Sequence, residues 1–176
     1  MLAYLFVVLA VAAHIRWIAL PFSFTPVFAA LLYFGARMPR RQLWLPVALL
    51  AVSDVYLTRV IYGYSLGVDQ VVVWAFYAAL ILLGGALIKG FSPLRIGVSS
   101  LACSVSFFLI SNFTVWFAGS MYPRTFNGLM ACYVAAVPFF RNAVVSDLLF
   151  SAVFFGTGYL VSHRTAAQQT MAASGR

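Results

Sequence analysis

The sequence predicts an all-α integral membrane bundle of about six transmembrane helices. Of the 176 residues, 64% are hydrophobic and only 8% are charged, whereas a soluble domain is about a quarter charged. Mean hydropathy is +1.00. Apolar runs also recur along the chain, divided by short breaks containing Pro, Gly and Arg. So few charges cannot cover a water-facing surface. That excludes a soluble enzyme, a disordered chain and a disulfide-stapled secreted module. At roughly 20 apolar residues per span, the length allows about six helices.

Residues 2–20 form the first apolar run, up to Arg16, Trp17 and Pro21. It lacks a basic start and is followed by more membrane-like sequence, so it reads as a span rather than a signal peptide. Thr25-Pro26 reads as a helix start, with Thr25 as N-cap and Pro26 at the first helical position. This second helix ends near Arg37 and is ~18 Å long, too short to span comfortably. The third covers 42–62, with Pro46 near its start and Asp54 inside it. The loop Tyr62–Asp69 leads to a fourth helix at 70–88, and Gly90-Phe-Ser-Pro93 makes the next turn.

The fifth helix, 94–118, carries Ser99, Ser100, Ser104, Ser106, Ser111, Asn112 and Thr114. Small hydroxyl residues let helices approach closely and share hydrogen bonds, so an interior position is expected. From Thr125 to Ser162 the chain stays apolar, but one helix of that length would run ~57 Å. Pro138 is the natural break, giving a short or re-entrant helix at 126–137 and the last span at 139–162. Residues 1–162 thus form one transmembrane domain, and the polar residues His163–Arg176 are expected to be a disordered cytoplasmic tail.

Eleven cationic side chains face only Asp54, Asp69 and Asp147. No basic stripe is long enough to track phosphates, which excludes nucleic acid as a partner. Loop arginines instead report topology. With both termini cytoplasmic, Arg37, Arg40, Arg41, Lys89, Arg95, Arg164 and Arg176 lie inside and Arg16, Arg59 and Arg124 outside. That bias favours a multi-pass protein of the bacterial inner membrane with both ends in the cytoplasm. Cys103 and Cys132 sit in apolar stretches without CxxC spacing and read as small core hydrophobes.

With that topology, Asp54 lies ~14 Å below the outer face and Arg59 ~6 Å, while Arg141 lies ~5 Å and Asp147 ~13 Å deep. His14, Arg16 and Asn112 fall in the same outer half, with Trp17, Tyr62, Tyr64, Trp116 and Tyr122 around the opening. Ionisable groups within a bilayer face a cavity or pair with one another. Arg141–Asp54 or Arg59–Asp147 could simply clamp the bundle, but so many polar groups on one side favour an outward-facing solute pocket. The candidate binding residues are His14, Arg16, Asp54, Arg59, Tyr62, Asn112, Arg141 and Asp147. The outward N-terminus of the short second helix would add a positive dipole end. Arginines and a helix end suit a guest with carboxylate, phosphate or amide oxygens.

No HExxH, GxSxG, GxGxxG or Walker motif occurs, and His14 and His163 lie on opposite sides. An intramembrane aspartyl pair, Asp54 and Asp147, would lack any further catalytic element. The expectation is a non-enzyme without metal or cofactor.

Phe24-Thr-Pro-Val-Phe-Ala-Ala-Leu-Leu-Tyr-Phe-Gly-Ala36, Leu45-Pro46 with Ser53-Asp54, and Ser111-Asn-Phe-Thr-Val-Trp116 form a recognisable set. Tyr122-Pro, Gly128-Leu, Cys132-Tyr and Pro138-Phe-Phe-Arg141-Asn through Asp147-Leu complete it. Over nearly the whole chain they resemble a family of small bacterial membrane proteins of unknown function. These in turn look like the six-helix S-components of energy-coupling-factor (ECF) vitamin transporters. The resemblance implies capture of a vitamin-like ligand in the outer halves of the helices. It also implies the lipid bilayer, an ECF T-subunit and ATPases as partners, with Ala3, Ala10 and Ala13 as the face toward the T-subunit. Solitary cobalamin transporters of the BtuM type are similar in size, which makes cobalamin the first ligand to consider. Their cobalt-binding loop cysteine has no counterpart, since no cysteine lies between 41 and 102. The competing expectations are a small structural or assembly subunit of a larger membrane complex and, third, an intramembrane enzyme.

Overall fold

The computed structural model describes residues 1–15, 20 and 23–174, with the side chains of 170 and 172–174 outside that description. It is helical, with α1 at Leu2–His14, α2 at Val27–Arg37, α3 at Trp44–Tyr56, α4 at Val68–Leu87, α5 at Pro93–Ala118 and α6 at Phe126–Ser174. A 3-10 turn, Arg40–Gln42, precedes α3, and a π-helical segment, Leu57–Ile61, extends it. Four helical segments are long and apolar enough to cross a membrane, and α1 and α2 are shorter apolar helices. The expected membrane bundle is therefore present, with no strand among the described residues.

Helix α2 is the column around which the others assemble. It packs against α1, α4, α5 and α6, and of Val27–Gly35 only Phe28 is not fully buried. A helix apolar on every side needs neighbours on every side. Its contact with α4 is backbone to backbone, since a methyl group built on Gly35 would overlap the Ile81 carbonyl and one on Gly84 the Leu32 carbonyl. Small residues permit that approach. Around it lies an aromatic core, with the ring of Phe6 stacked on Phe154 at 4.0 Å and set edge-on to Tyr33 at 5.0 Å.

Successive helices alternate in direction. Near the start of α1, Tyr4 meets Phe34 of α2 and donates to Gln42 Oε1 at 2.8 Å. Phe91, just before α5, stacks on Tyr159 of α6 at 4.4 Å. The C-terminal ends of α1, α3 and α5 therefore share one end of the bundle with the N-terminal ends of α2, α4 and α6.

Several expectations are corrected here. Helix α2 begins one residue later, with Pro26 as N-cap and no side-chain cap from Thr25. Instead the Pro26 carbonyl accepts the Ala30 N–H at 2.9 Å. Pro138 does not divide the last apolar stretch into a re-entrant helix and a span, and α6 runs unbroken through it for 49 residues. A proline is tolerated in a membrane helix where neighbours hold both sides of it. Here α5 acts as the splint. Tyr133 Oη donates to the Leu109 carbonyl at 2.8 Å before the proline, and Phe140 packs on Phe108 at 4.5 Å after it.

The stretch from His163 to Ser174, expected to be disordered, continues α6. Its alanines and glutamines favour helix, and the first glycine arrives only at position 175. Helix α5 is interior along one face only. Ser99, Ser100, Cys103 and Ser104 are buried, while Leu101, Val105 and Leu109 point outward. Ala3, Ala10 and Ala13 face inward and are buried, so they form no outward face for a T-subunit.

Candidate functional site

Three polar clusters surround the region where α1 ends and α2 begins, the second of them near the middle of α5. The first ties α1, α3 and α4 together. His14 Nε2 lies 2.6 Å from Asp54 Oδ1, and Trp74 Nε1 donates to Asp54 Oδ2 at 2.9 Å. Both carboxylate oxygens are thereby engaged. The second joins α5 to α6. Ser104 Oγ donates to Asp147 Oδ2 at 2.6 Å, and the Ser100 and Ser151 hydroxyls meet at 3.2 Å. These are the interhelical hydroxyl bonds that the serine spacing on α5 foretells. The third anchors the start of α2, where Ser146 Oγ donates to the Thr25 carbonyl at 2.7 Å.

Between these clusters lies a partly open cavity of about 370 Å³. His14, Ser23, Thr25, Ser104, Ser111, Asn112 and Asp147 supply its polar wall, and Phe28, Tyr77, Phe107, Phe108, Phe139 and Phe140 its aromatic wall. It sits where α1 ends and α2 begins, and α4, α5 and α6 continue past it.

Asp147 is the unusual member. It is 4% exposed, and Ser104 is its one hydrogen-bond partner among the described residues. No fully buried side-chain oxygen or nitrogen among those residues lacks a partner. Its second oxygen, Oδ1, has no hydrogen-bond partner among the described residues, and Asp147 lines the cavity. A carboxyl group in an apolar wall is costly unless something satisfies it. Asn112 donates to the Phe108 carbonyl at 2.7 Å, and Ser111 to the Phe107 carbonyl at 2.6 Å. The Ser111 hydroxyl and one of the two Asn112 amide N–H groups are thus spent on α5 itself.

The eight sequence candidates separate clearly. His14, Asn112 and Asp147 line the cavity. Asp54 stands behind His14 and is not on the wall. Arg59, Tyr62 and Arg141 are exposed and off the wall. Arg16 lies outside the described residues, as does Trp17. Neither expected clamp forms, since His14–Asp54 is the one ion pair within 4 Å among the described residues. Tyr62 and Tyr64 pair at 6.4 Å on the surface, and Trp116 donates to the Pro123 carbonyl at 3.0 Å. They cluster at this end without reaching the cavity. Cys103 and Cys132 are buried free thiols, and Cys132 donates to the Asn112 carbonyl at 3.5 Å.

Residues 1–170 match the model of a family described as a family of unknown function (DUF6580). The chain belongs to that family. Nothing among the curated proteins matches it, and no solved structure does. The expected likeness to small membrane proteins of unknown function thus rests on a match along nearly the whole chain, whereas no match links the chain to ECF S-components or to BtuM.

Proposed function

We propose that this protein is a membrane-embedded binding protein for a small, vitamin-type nutrient. The guest enters from the extracytoplasmic side and sits in the cavity at the start of α2, in the manner of an S-component. The observation that carries this reading is Asp147, a buried carboxyl on an aromatic wall with one oxygen that no described residue bonds. A purely structural carboxyl would be fully bonded within the protein, as Asp54 is. Pockets for small molecules are apolar hollows with a few fixed polar groups, typically about 300–1,000 Å³. At about 370 Å³ the cavity suits a one- or two-ring solute, and the corrin macrocycle of cobalamin is larger than that. Within the vitamin class the reading moves to smaller members.

Orientation belongs to the same reading. Arg37, Arg40, Arg41, Lys89, Arg95 and Arg164 lie at the end away from the cavity, while Asp54 and Asp69 lie in the cavity half and Asp147 near the middle. Positive charge marks the cytoplasmic side, so the cavity opens outward from the bacterial inner membrane with both termini inside. Energising partners such as a T-subunit and ATPases would dock elsewhere than on the α1 alanines.

Mass spectrometry of small molecules that co-purify from native membranes tests the proposal. Wild-type protein should carry a defined solute, and folded Asp147→Ala should not. A wild-type protein that carries none, and that no vitamin in a panel stabilises, would refute it.

A second reading, a subunit of a larger membrane complex, draws on a different feature. Leu43, Trp44, Val47, Ala48, Ala51, Trp74, Ala78, Ile81 and Leu82 line an apolar groove of about 450 Å³ between α3 and α4. That reading expects stable co-purification with large partners, and that Trp44→Asp abolishes it.

A further inference from the structure

We infer that the cavity selects a small ring-bearing solute with a cationic nitrogen, and that Asp147 is its counter-charge. The inference rests on the reading of this cavity as a solute site and names the class of solute. Arginines and a helix end suit an anion, but the structure turns Arg59 and Arg141 away. Arg59 and Arg141 are exposed and line no part of the cavity. The two ionisable acid–base side chains on its wall are Asp147 and His14. His14 is bound to Asp54 at 2.6 Å. With Asp54 ionised, that pair sums to zero or to one negative charge, whether or not the imidazole carries its second proton. The described residues of the wall therefore supply no net positive charge from side chains.

The start of α2 also opens here, and a helix N-terminus favours anions. Its effect amounts to about half an elementary charge, against a whole one on an ionised Asp147. The carboxylate prevails. Its Oδ1 has no donor among the described residues, so a guest N–H can bond there while the cation supplies the missing charge. Phe107, Phe108, Phe139 and Phe140 present ring faces or edges to the same space. Aromatic rings attract a cation placed over their faces within about 6 Å. A carboxylate floor with aromatic sides fits a flat, protonated nitrogen compound and repels its carboxylate counterpart.

Benzamidinium and benzoate are nearly the same shape and carry opposite charges, so they make a matched pair of probes. Detergent-solubilised full-length protein is titrated with each, and binding is followed by calorimetry and thermal shift. Benzamidinium should bind and raise the melting temperature, benzoate should do neither, and Asp147→Asn should weaken benzamidinium at least tenfold. If benzoate binds as well as benzamidinium, or Asp147→Asn retains full affinity, the cationic class is wrong although the site still holds solutes. The wild-type comparison stands alone if the variant does not fold. If neither probe binds, the charge of the co-purifying solute decides, with a cation supporting the inference and a neutral or anionic solute overturning it. Failure of both probes together with no co-purifying solute overturns the solute site itself.

Discussion

At the scale of single residues, Asp54 and Asp147 look alike in the sequence, each preceded by Val-Ser, and differ in what they do. Asp54 receives bonds from His14 and Trp74, so it fastens three helices. A hydrogen bond to a charged group contributes about 1.5–3 kcal/mol. Asp54→Leu and His14→Ala are each expected to lower stability by about 2–4 kcal/mol, the upper end reflecting an orphaned buried partner. Thermal unfolding in detergent measures it. Arg59→Ala and Arg141→Ala should stay within about 0.5 kcal/mol of wild type in the same assay. They should also leave solute binding unchanged.

The sequence puts both arginines on the pocket, and the structure leaves both exposed and off its wall. Rise per residue fixes position along a helix axis, but not the angle around it. At about 100° per residue, Arg141 and Asp147 lie about 120° apart and Asp54 and Arg59 about 140°. His14, Asn112 and Asp147 were legible from depth because their angles happen to point inward. Trp74 was not singled out, although an indole N–H inside an apolar run needs an acceptor. That need was the available signal.

At the scale of elements, helix existence was legible throughout because each apolar run is bounded by Pro, Gly or Arg. What failed were judgements that depend on a neighbour. Pro138 reads as a stop in one helix and is carried as part of a longer one because α5 braces both sides. Pro138→Ala is accordingly expected to leave the fold intact and to raise stability by up to about 3 kcal/mol, read from the melting temperature. The α2–α4 crossing makes the opposite demand. Gly35→Leu and Gly84→Leu must force the backbones apart, and each should cost more than about 3 kcal/mol or prevent accumulation of folded protein. Fluorescence-detected size-exclusion chromatography would show the loss of the monodisperse peak. The serines on α5 were read correctly as interhelical bonders, yet a helix can share such bonds along one stripe and still face lipid with the rest.

At the scale of the whole molecule, charge is sorted by end, with cations alone at one, Asp54 and Asp69 toward the other and Asp147 near the middle. If the cation-only end is cytoplasmic, Ser65→Cys and Ser120→Cys, both in cavity-end loops, will react with a membrane-impermeant maleimide in intact cells. A cysteine at Lys89 will react only after permeabilisation. The reverse pattern would invert the orientation and place the cavity mouth inside. The final turns of α6, exposed from Tyr159 through Gln169, continue beyond the ring stack with Phe91 at that far end. The cavity itself follows from arithmetic of length. Helix α2 has 11 residues and covers about 16 Å, roughly half the length of the 20-residue α4 beside it. The hollow is the shape of the turns this central strut does not possess. Splicing two extra turns ahead of Val27 would plug it, carrying Ser23 and Thr25 with the new turns, and tuning that insertion residue by residue offers a way to grade its capacity.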